Sequence, residues 1–148
     1  MAHKFIEHLS KDHDKQRRLG KQLRKVKDPD ERKALRQKFH EALYPHMVGE
    51  EASIFEFLTS AQGKAREEAL KALQEHYVGK TVLRELMDLT PDSEVFNAKA
   101  YVLDEMNRHH MQEEEKTHFP MIEEMASQDK MDRLFESYKS AEEEAKAS

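Results

Sequence analysis

Three clusters of helix-breaking residues stand out in the first 126 positions of this chain. Asp28-Pro29-Asp30-Glu31 offers a capping carboxylate, a proline at the first helical position and an acid at the third. Thr59-Ser60-Ala61-Gln62-Gly63 marks a second break, and Thr90-Pro91-Asp92 repeats the cap-plus-proline signal. The breaks leave four long segments, about 3–27, 30–59, 64–89 and 92–126, and Ser127 opens a shorter fifth from about 128 to 145. Residues 141–148 read as a fraying tail. With four Gly, four Pro and little Val or Ile, the chain is expected to be all-α. Long helices joined by short loops pack as an up-down-up-down four-helix bundle. The expected organisation is a bundle over residues 1–126, then a short C-terminal helix and tail over 127–148.

The core of such a bundle must be thin. Leu, Ile, Val and Phe together make up 29 of 148 residues, a fraction close to that of chains that stay disordered when highly charged. The net charge of -5 keeps self-repulsion mild. No apolar run approaches the ~18 residues of a membrane span. Without Cys, disulfide staples, zinc-thiolate sites and thiol nucleophiles are excluded. The N-terminus has no apolar signal core, so a cytoplasmic location is expected. The basic run Lys15, Arg17, Arg18, Lys21, Arg24, Lys25 and Lys27 reads as a cationic face near a helix C-terminus. It has no interleaved aromatics and the chain is acidic, so nucleic acid is not the expected partner.

Each long segment carries an apolar stripe at helical spacing, and each stripe contains histidine. The four read Ile6-Leu9-His13-Gly20-Leu23, Phe39-Leu43-His46-Glu50-Ile54-Phe57, Ala69-Leu73-His76-Leu83-Met87 and Val95-Val102-Leu103-Met106-His110-Glu114. A lone His on such a face is usually a core residue, and one His-x-x-x-Glu is a common helical pair. Here the pair occurs twice, as His46/Glu50 and His110/Glu114, 64 positions apart. Residues four apart share a helix face. The single histidines of the other two segments, in Asp12-His13 and Glu75-His76, are 63 positions apart. This is an internal two-helix repeat around a pseudo-twofold axis. Burying four His and two Glu without a cation is costly. The set exceeds the four ligands of a structural zinc and suits two metals bridged by carboxylates.

On these residues, Asp12-His13, His46-x-x-x-Glu50-Glu51, Glu75-His76 and His110-x-x-x-Glu114-Glu115 with Phe119-Pro120, the chain resembles the hemerythrin-like (HHE cation-binding) family of non-haem di-iron four-helix bundles over about residues 3–126. The resemblance implies His13, His46, His76 and His110 as terminal iron ligands. It implies Glu50 and Glu114 as bridging carboxylates, and two iron ions joined by an oxo or hydroxo group. Glu51 and Glu115 fall one position off that face and are expected outside the ligand set.

The chain departs from the oxygen-carrying hemerythrins in three places. Lys80 stands where they place a second third-helix histidine, leaving one iron more open; its amine is expected to snorkel outward rather than point at the site. Those proteins place the last-helix carboxylate five residues after its His, which is Glu115 here, although Glu114 shares the His110 face. His118, one turn beyond Glu114, is an extra ligand, an outer hydrogen-bonding group or a packed His at the bundle end. His3, His8, His40 and His109 lie off the stripes and read as surface or rim. Pro45 is expected to kink the second helix and aim His46, and Pro120 to end or bend the fourth.

Iron suits a mixed imidazole and carboxylate set. Ferritin-like sites carry four Glu and two His. The inverse ratio here favours binding a small molecule over oxidising a C–H bond. The resemblance implies a carrier or sensor of O2 or a related small ligand. The alternatives are a peroxide-decomposing or nitric-oxide-reducing oxidoreductase at the same centre, and an iron store or structural metal-binding module.

Overall fold

The computed structural model describes residues 2–147, and the regular structure among them is entirely helical. The elements are α1 (Lys4–Leu23), α2 (Pro29–Glu51), α3 (Ile54–Thr59), α4 (Lys64–Asp88), α5 (Phe96–Glu113), a π-helical turn (Glu114–His118), α6 (Phe119–Met125) and α7 (Gln128–Ala147). In chain order they make five rods: α1, α2 followed by α3, α4, α5 followed by the π-turn and α6, and α7. α1, α2, α4 and α5 pack as a closed ring of four, and α7 lies along α2. No helix among the described residues is long and apolar enough to cross a membrane.

Local chemistry explains most boundaries. Asp28 accepts a hydrogen bond from the Glu31 amide and caps α2, with Pro29 at its first position. Gly63 breaks the chain with φ 64°, a left-handed conformation that favours glycine. Ser127 Oγ accepts from the Lys130 amide and starts α7. That helix has 20 residues and reaches Ala147, so the described residues of the expected tail are helical.

The Thr90-Pro91 signal does not start a helix. Residues 90–95 are a non-helical loop, and the Pro91 and Ser93 carbonyls accept from the guanidinium of the buried Arg32. Val95 and Val102 are about half exposed, correcting the fourth stripe. The inward face runs Phe96, Ala100, Leu103, Asn107, His110, Met111 and Glu114, one position from the two valines. Three of the seven residues of the basic run are paired across the bundle. Arg17 meets Glu115, Arg24 meets Asp104 and Glu105, and Lys27 donates to Asn97.

Neither proline interrupts its helix. α2 runs through Pro45 and breaks at Ala52-Ser53, where Ser53 takes φ -128° and ψ -89° and its hydroxyl donates to the Gly49 carbonyl. α6 runs on past Pro120. Proline has no amide to close a four-residue bond onto Lys116, and the ladder is already shifted there: the Phe119 amide donates to the Glu114 carbonyl, five residues back. Both Glu-bearing helices thus lose regularity just after the expected bridging carboxylate. π-turns of this kind concentrate at functional sites.

The core is divided. One apolar cluster joins Phe5, Leu9, Ile54, Phe55, Phe119, Ile122 and Tyr138 at one end, and another joins Leu23, Phe39, Leu43, Leu83, Phe96 and Leu103 at the other. The layer of buried His and Glu lies between them in sequence on all four rods. Two glycines admit close contacts that shape this layer. A Cβ at Gly20 would fall 2.0 Å from Asp104 Oδ1, and one at Gly49 would fall 2.6 Å from the Tyr138 ring.

Candidate metal centre

His13, His46, His76, His110, Glu50 and Glu114 are all buried, and the two carboxylates are fully so. Their ligand atoms form two overlapping groups, each able to hold a metal ion. The first is His13, His46, Glu50 and Glu114; the second is Glu50, His76, His110 and Glu114; within each, the atoms lie within 4.8 Å of one another. Glu50 and Glu114 belong to both, and each divides its oxygens. Glu50 Oε2 is 3.1 Å from His46 Nε2, and Oε1 is 3.3 Å from His76 Nε2. Glu114 Oε1 is 2.9 Å from His13 Nε2, and Oε2 is 3.4 Å from His110 Nε2.

Behind each histidine stands a carboxylate. Nδ1 of His13 donates to Glu115 (2.7 Å), that of His46 to Asp12 (3.1 Å), that of His76 to Glu51 (2.8 Å) and that of His110 to Glu75 (2.9 Å). Each carboxylate comes from the rod that precedes its histidine's in the chain, and the fourth rod serves the first, so the bonds close a ring. These bonds put the proton on Nδ1 and turn the Nε2 lone pairs inward.

The fit to a cation follows from what the inward atoms lack. Nε2 of His13 and His46 and both carboxylate oxygens of Glu50 and Glu114 are buried with no aligned hydrogen-bond partner, although some lie at contact distance. Nε2 of His76 and of His110 are 2.8 Å apart. Two lone pairs at that distance require a proton or a cation between them. Without metal the site recruits protons. Burial opposes charging His110, yet Glu114 and Glu75 outweigh it and raise its pKa to about 10. Glu50 and Asp12 overcome burial at His46, and Glu114 and Glu115 at His13, so both rise above the usual histidine value. Burial would likewise raise the Glu114 carboxyl, but His110 and His13 hold it well below its ordinary range. Asp12, Glu51, Glu75 and Glu115 are all lowered, with burial opposing and His46, His76, His110 and His13 respectively prominent among the causes. A cation supplies the charge those protons supply, in a buried layer where an unpaired polar atom is expensive.

The remaining candidates fall around this set. Glu115 lies outside both groups and braces His13 while also meeting Arg17. Lys80 donates to Glu51 at 2.8 Å, behind His76, and does not enter either group. His118 is buried against Phe55, with Nε2 3.5 Å from Glu68 Oε2, and also lies outside both groups. His3 caps α1 and meets Asp132 of α7. His40 stacks on Tyr44, and His109 is exposed.

The sequence analysis leaves Tyr138 out of the site. The structure buries it, with its hydroxyl donating to Asp12 at 2.9 Å and lying 3.0 Å from His46 Nδ1. It also missed the buried Asn107 amide, which donates to Gln16 Oε1 at 3.0 Å. Tyr at a position of full burial is the one available signal, because its hydroxyl needs a partner.

Comparison with known proteins agrees with this geometry. The model of the hemerythrin HHE cation binding domain matches residues 4–122. No curated protein and no solved structure gives a significant match. The match ends before α7, so Tyr138 enters the site from outside the shared domain. A matched stretch spanning most of the chain, carrying a buried His and Glu layer fit for metal, makes this protein a member of the hemerythrin HHE cation-binding family.

Proposed function

We propose that the chain holds two iron ions, one between His13 and His46 and one between His76 and His110. Glu50 and Glu114 bridge them, and the centre binds O2 or a related small ligand as a carrier or sensor. The observation that carries this reading is the division of oxygens: each of two buried carboxylates turns one oxygen to each histidine pair. A single ion needs no such arrangement, whereas a pair of ions uses both carboxylates in full. Iron bound there supplies a redox-active centre able to take a small ligand.

The protein's own residues do the rest. Asp12, Glu51, Glu75 and Glu115 hold the Nδ1 protons and fix the ring orientations. The two apolar clusters flank the layer on either side. The six-residue donor set contains only two carboxylates, which favours the ferrous state that ligand binding needs over the high-valent states that oxidise C–H bonds.

The test is metal content with a visible spectrum before and after a reduced sample meets air. Two irons per chain and a new charge-transfer band on oxygen exposure are expected. One zinc per chain, or none of any metal, overturns the reading. Sustained turnover of excess peroxide or nitric oxide replaces the carrier with an enzyme.

A further inference from the structure

A further cluster of metal-ligating side chains lies outside the buried His and Glu layer, in the seam between α1 and α7. It is built from two pairs of residues four apart, His8/Asp12 on α1 and Tyr138/Glu142 on α7, and each pair shares one face of its helix. One donor atom from each of His8, Asp12 and Glu142 lies within 4.8 Å of the others. All three residues are partly exposed, so the cluster is open to solvent. Tyr138 and Glu142 stand beyond residues 4–122 of the matched domain, and His8 lies off the inward histidine stripe of α1. The cluster is therefore distinct from the cation centre of the family.

Two features of the cluster call for a positive charge. The His8 ring packs against Phe135 and edge-on to Tyr138, with centroids 5.2 Å and 5.7 Å away. That packing leaves its Nε2 buried, 3.5 Å from Asp12 Oδ2 and without an aligned hydrogen bond. The other feature is a shortage of protons. The Tyr138 oxygen is 2.9 Å from Asp12 Oδ2 and 3.1 Å from Glu142 Oε2, yet a phenol has one proton to give. It serves one carboxylate at a time, and the other pair of oxygens meets with no hydrogen of the phenol between them. On the outer side, Lys146 Nζ approaches Glu142 Oε1 only to 3.7 Å, from an exposed position.

A cation among the three side chains answers both features. One imidazole nitrogen with two carboxylate oxygens suits a divalent first-row transition ion, whereas calcium and magnesium favour oxygen alone. Three protein donors leave positions to water, so such an ion exchanges with solvent. The donors come from two helices that share little other contact, since α7 packs mainly on α2. We propose that His8, Asp12 and Glu142 form a separate, exchangeable site for a divalent transition-metal ion, which clamps the C-terminal half of α7 to α1. The site does not depend on which ions the inner layer holds.

Cobalt is the probe. Equilibrium dialysis of the whole chain is expected to find one more cobalt ion per wild-type chain than per His8→Asn or Glu142→Gln chain, so the occupancy of the inner layer cancels. Asp12 is left intact because it also holds His46. Each variant is expected to weaken this ion at least about 10-fold, the smallest loss seen when even an outer partner is removed. Anomalous scattering from cobalt-soaked crystals is expected to place the ion between His8, Asp12 and Glu142 in the wild type and not in the variants. Hydrogen exchange of the α7 amides around Glu142 is expected to slow on cobalt addition in the wild type alone. Equal cobalt counts in wild type and variants, no anomalous peak in the seam, saturation only at millimolar cobalt, or displacement by an equal concentration of magnesium overturns the proposal. A seam ion in a chain whose inner layer takes up no metal overturns the two-iron reading and leaves this site standing.

Discussion

Tyr138 places its hydroxyl 3.0 Å from Nδ1 of His46, tying a helix outside the matched domain to the histidine layer. The same oxygen donates to Asp12, the carboxylate that holds the His46 proton, at 2.9 Å. Burial, reinforced by Asp12, pushes the phenol pKa far up, so the group stays protonated and acts as a donor. Tyr138→Phe is expected to keep the fold, lower stability by about 1 kcal/mol and weaken metal affinity about 10-fold. Chelator competition measures the affinity. A wild-type value leaves Tyr138 with a packing role alone. No tyrosinate charge-transfer band is expected in the iron-loaded wild type.

Gly49 and Gly20 are predicted to tolerate no side chain. A Cβ at Gly49 meets the Tyr138 ring at 2.6 Å, and one at Gly20 meets Asp104 Oδ1 at 2.0 Å, where Arg24 and Arg108 pin the carboxylate. Alanine at either position is expected to cost about 1–3 kcal/mol, despite alanine's better helix propensity. Denaturant unfolding checks this; a gain in stability at Gly49 means that α7 moves aside freely.

Two adjacent glutamates separate the proposed bridging role from the bracing one. Glu114→Gln is expected to remove high-affinity binding of both ions, since its carboxylate belongs to both groups. Glu115→Gln is expected to cost only about 10–100-fold in affinity, through the His13 proton. Equal loss in the two variants contradicts the assignment of Glu114 over Glu115.

The metal-free protein has a defined pH dependence. His110 rises from 6.5 to about 10 on folding, and His13 and His46 also rise. Stability from groups raised in this way is fully present below pH 6.5 and is lost as pH climbs toward 10. Glu114 falls well below its ordinary value of 4.5, so its contribution is present above that pH and is lost in acid. The melting temperature of the metal-free chain is therefore expected to decline steadily from pH 6.5 to 10. A rise over that range contradicts the protonated layer. Iron uptake at pH 7 displaces these protons, which calorimetry in buffers of different ionisation enthalpy reads directly.

Stripping the metal is expected to lower the melting temperature markedly. Six buried ligand groups separate the two apolar clusters, and a bound ion supplies cohesion that Leu or Ile supplies elsewhere. A metal-free protein as stable as the loaded one shows that 29 strong hydrophobes suffice.

The helices and the six inward-facing His and Glu were legible because spacing of three and four residues reports a helix face directly. What escaped the sequence was tertiary. Thr90-Pro91 has the chemistry of a helix start, but Arg32 captures the loop carbonyls. Val95 and Val102 are hydrophobic yet sit one position off the buried face. Asp12 and Glu75 adjoin His13 and His76 in sequence, but they brace His46 and His110 on the next rod. The Tyr138 contact joins residues 92 apart, beyond any local pattern.

The closed ring of carboxylate–imidazole bonds has a mechanical consequence. Each of the four rods both gives a carboxylate to the next and receives one from the last. A slide of one residue, about 1.5 Å, along any rod strains two of these bonds at once. Apolar contacts between smooth helices resist such slippage weakly, because one leucine substitutes for another. The polar layer therefore works as a vernier that locks the axial alignment of the bundle before any ion arrives.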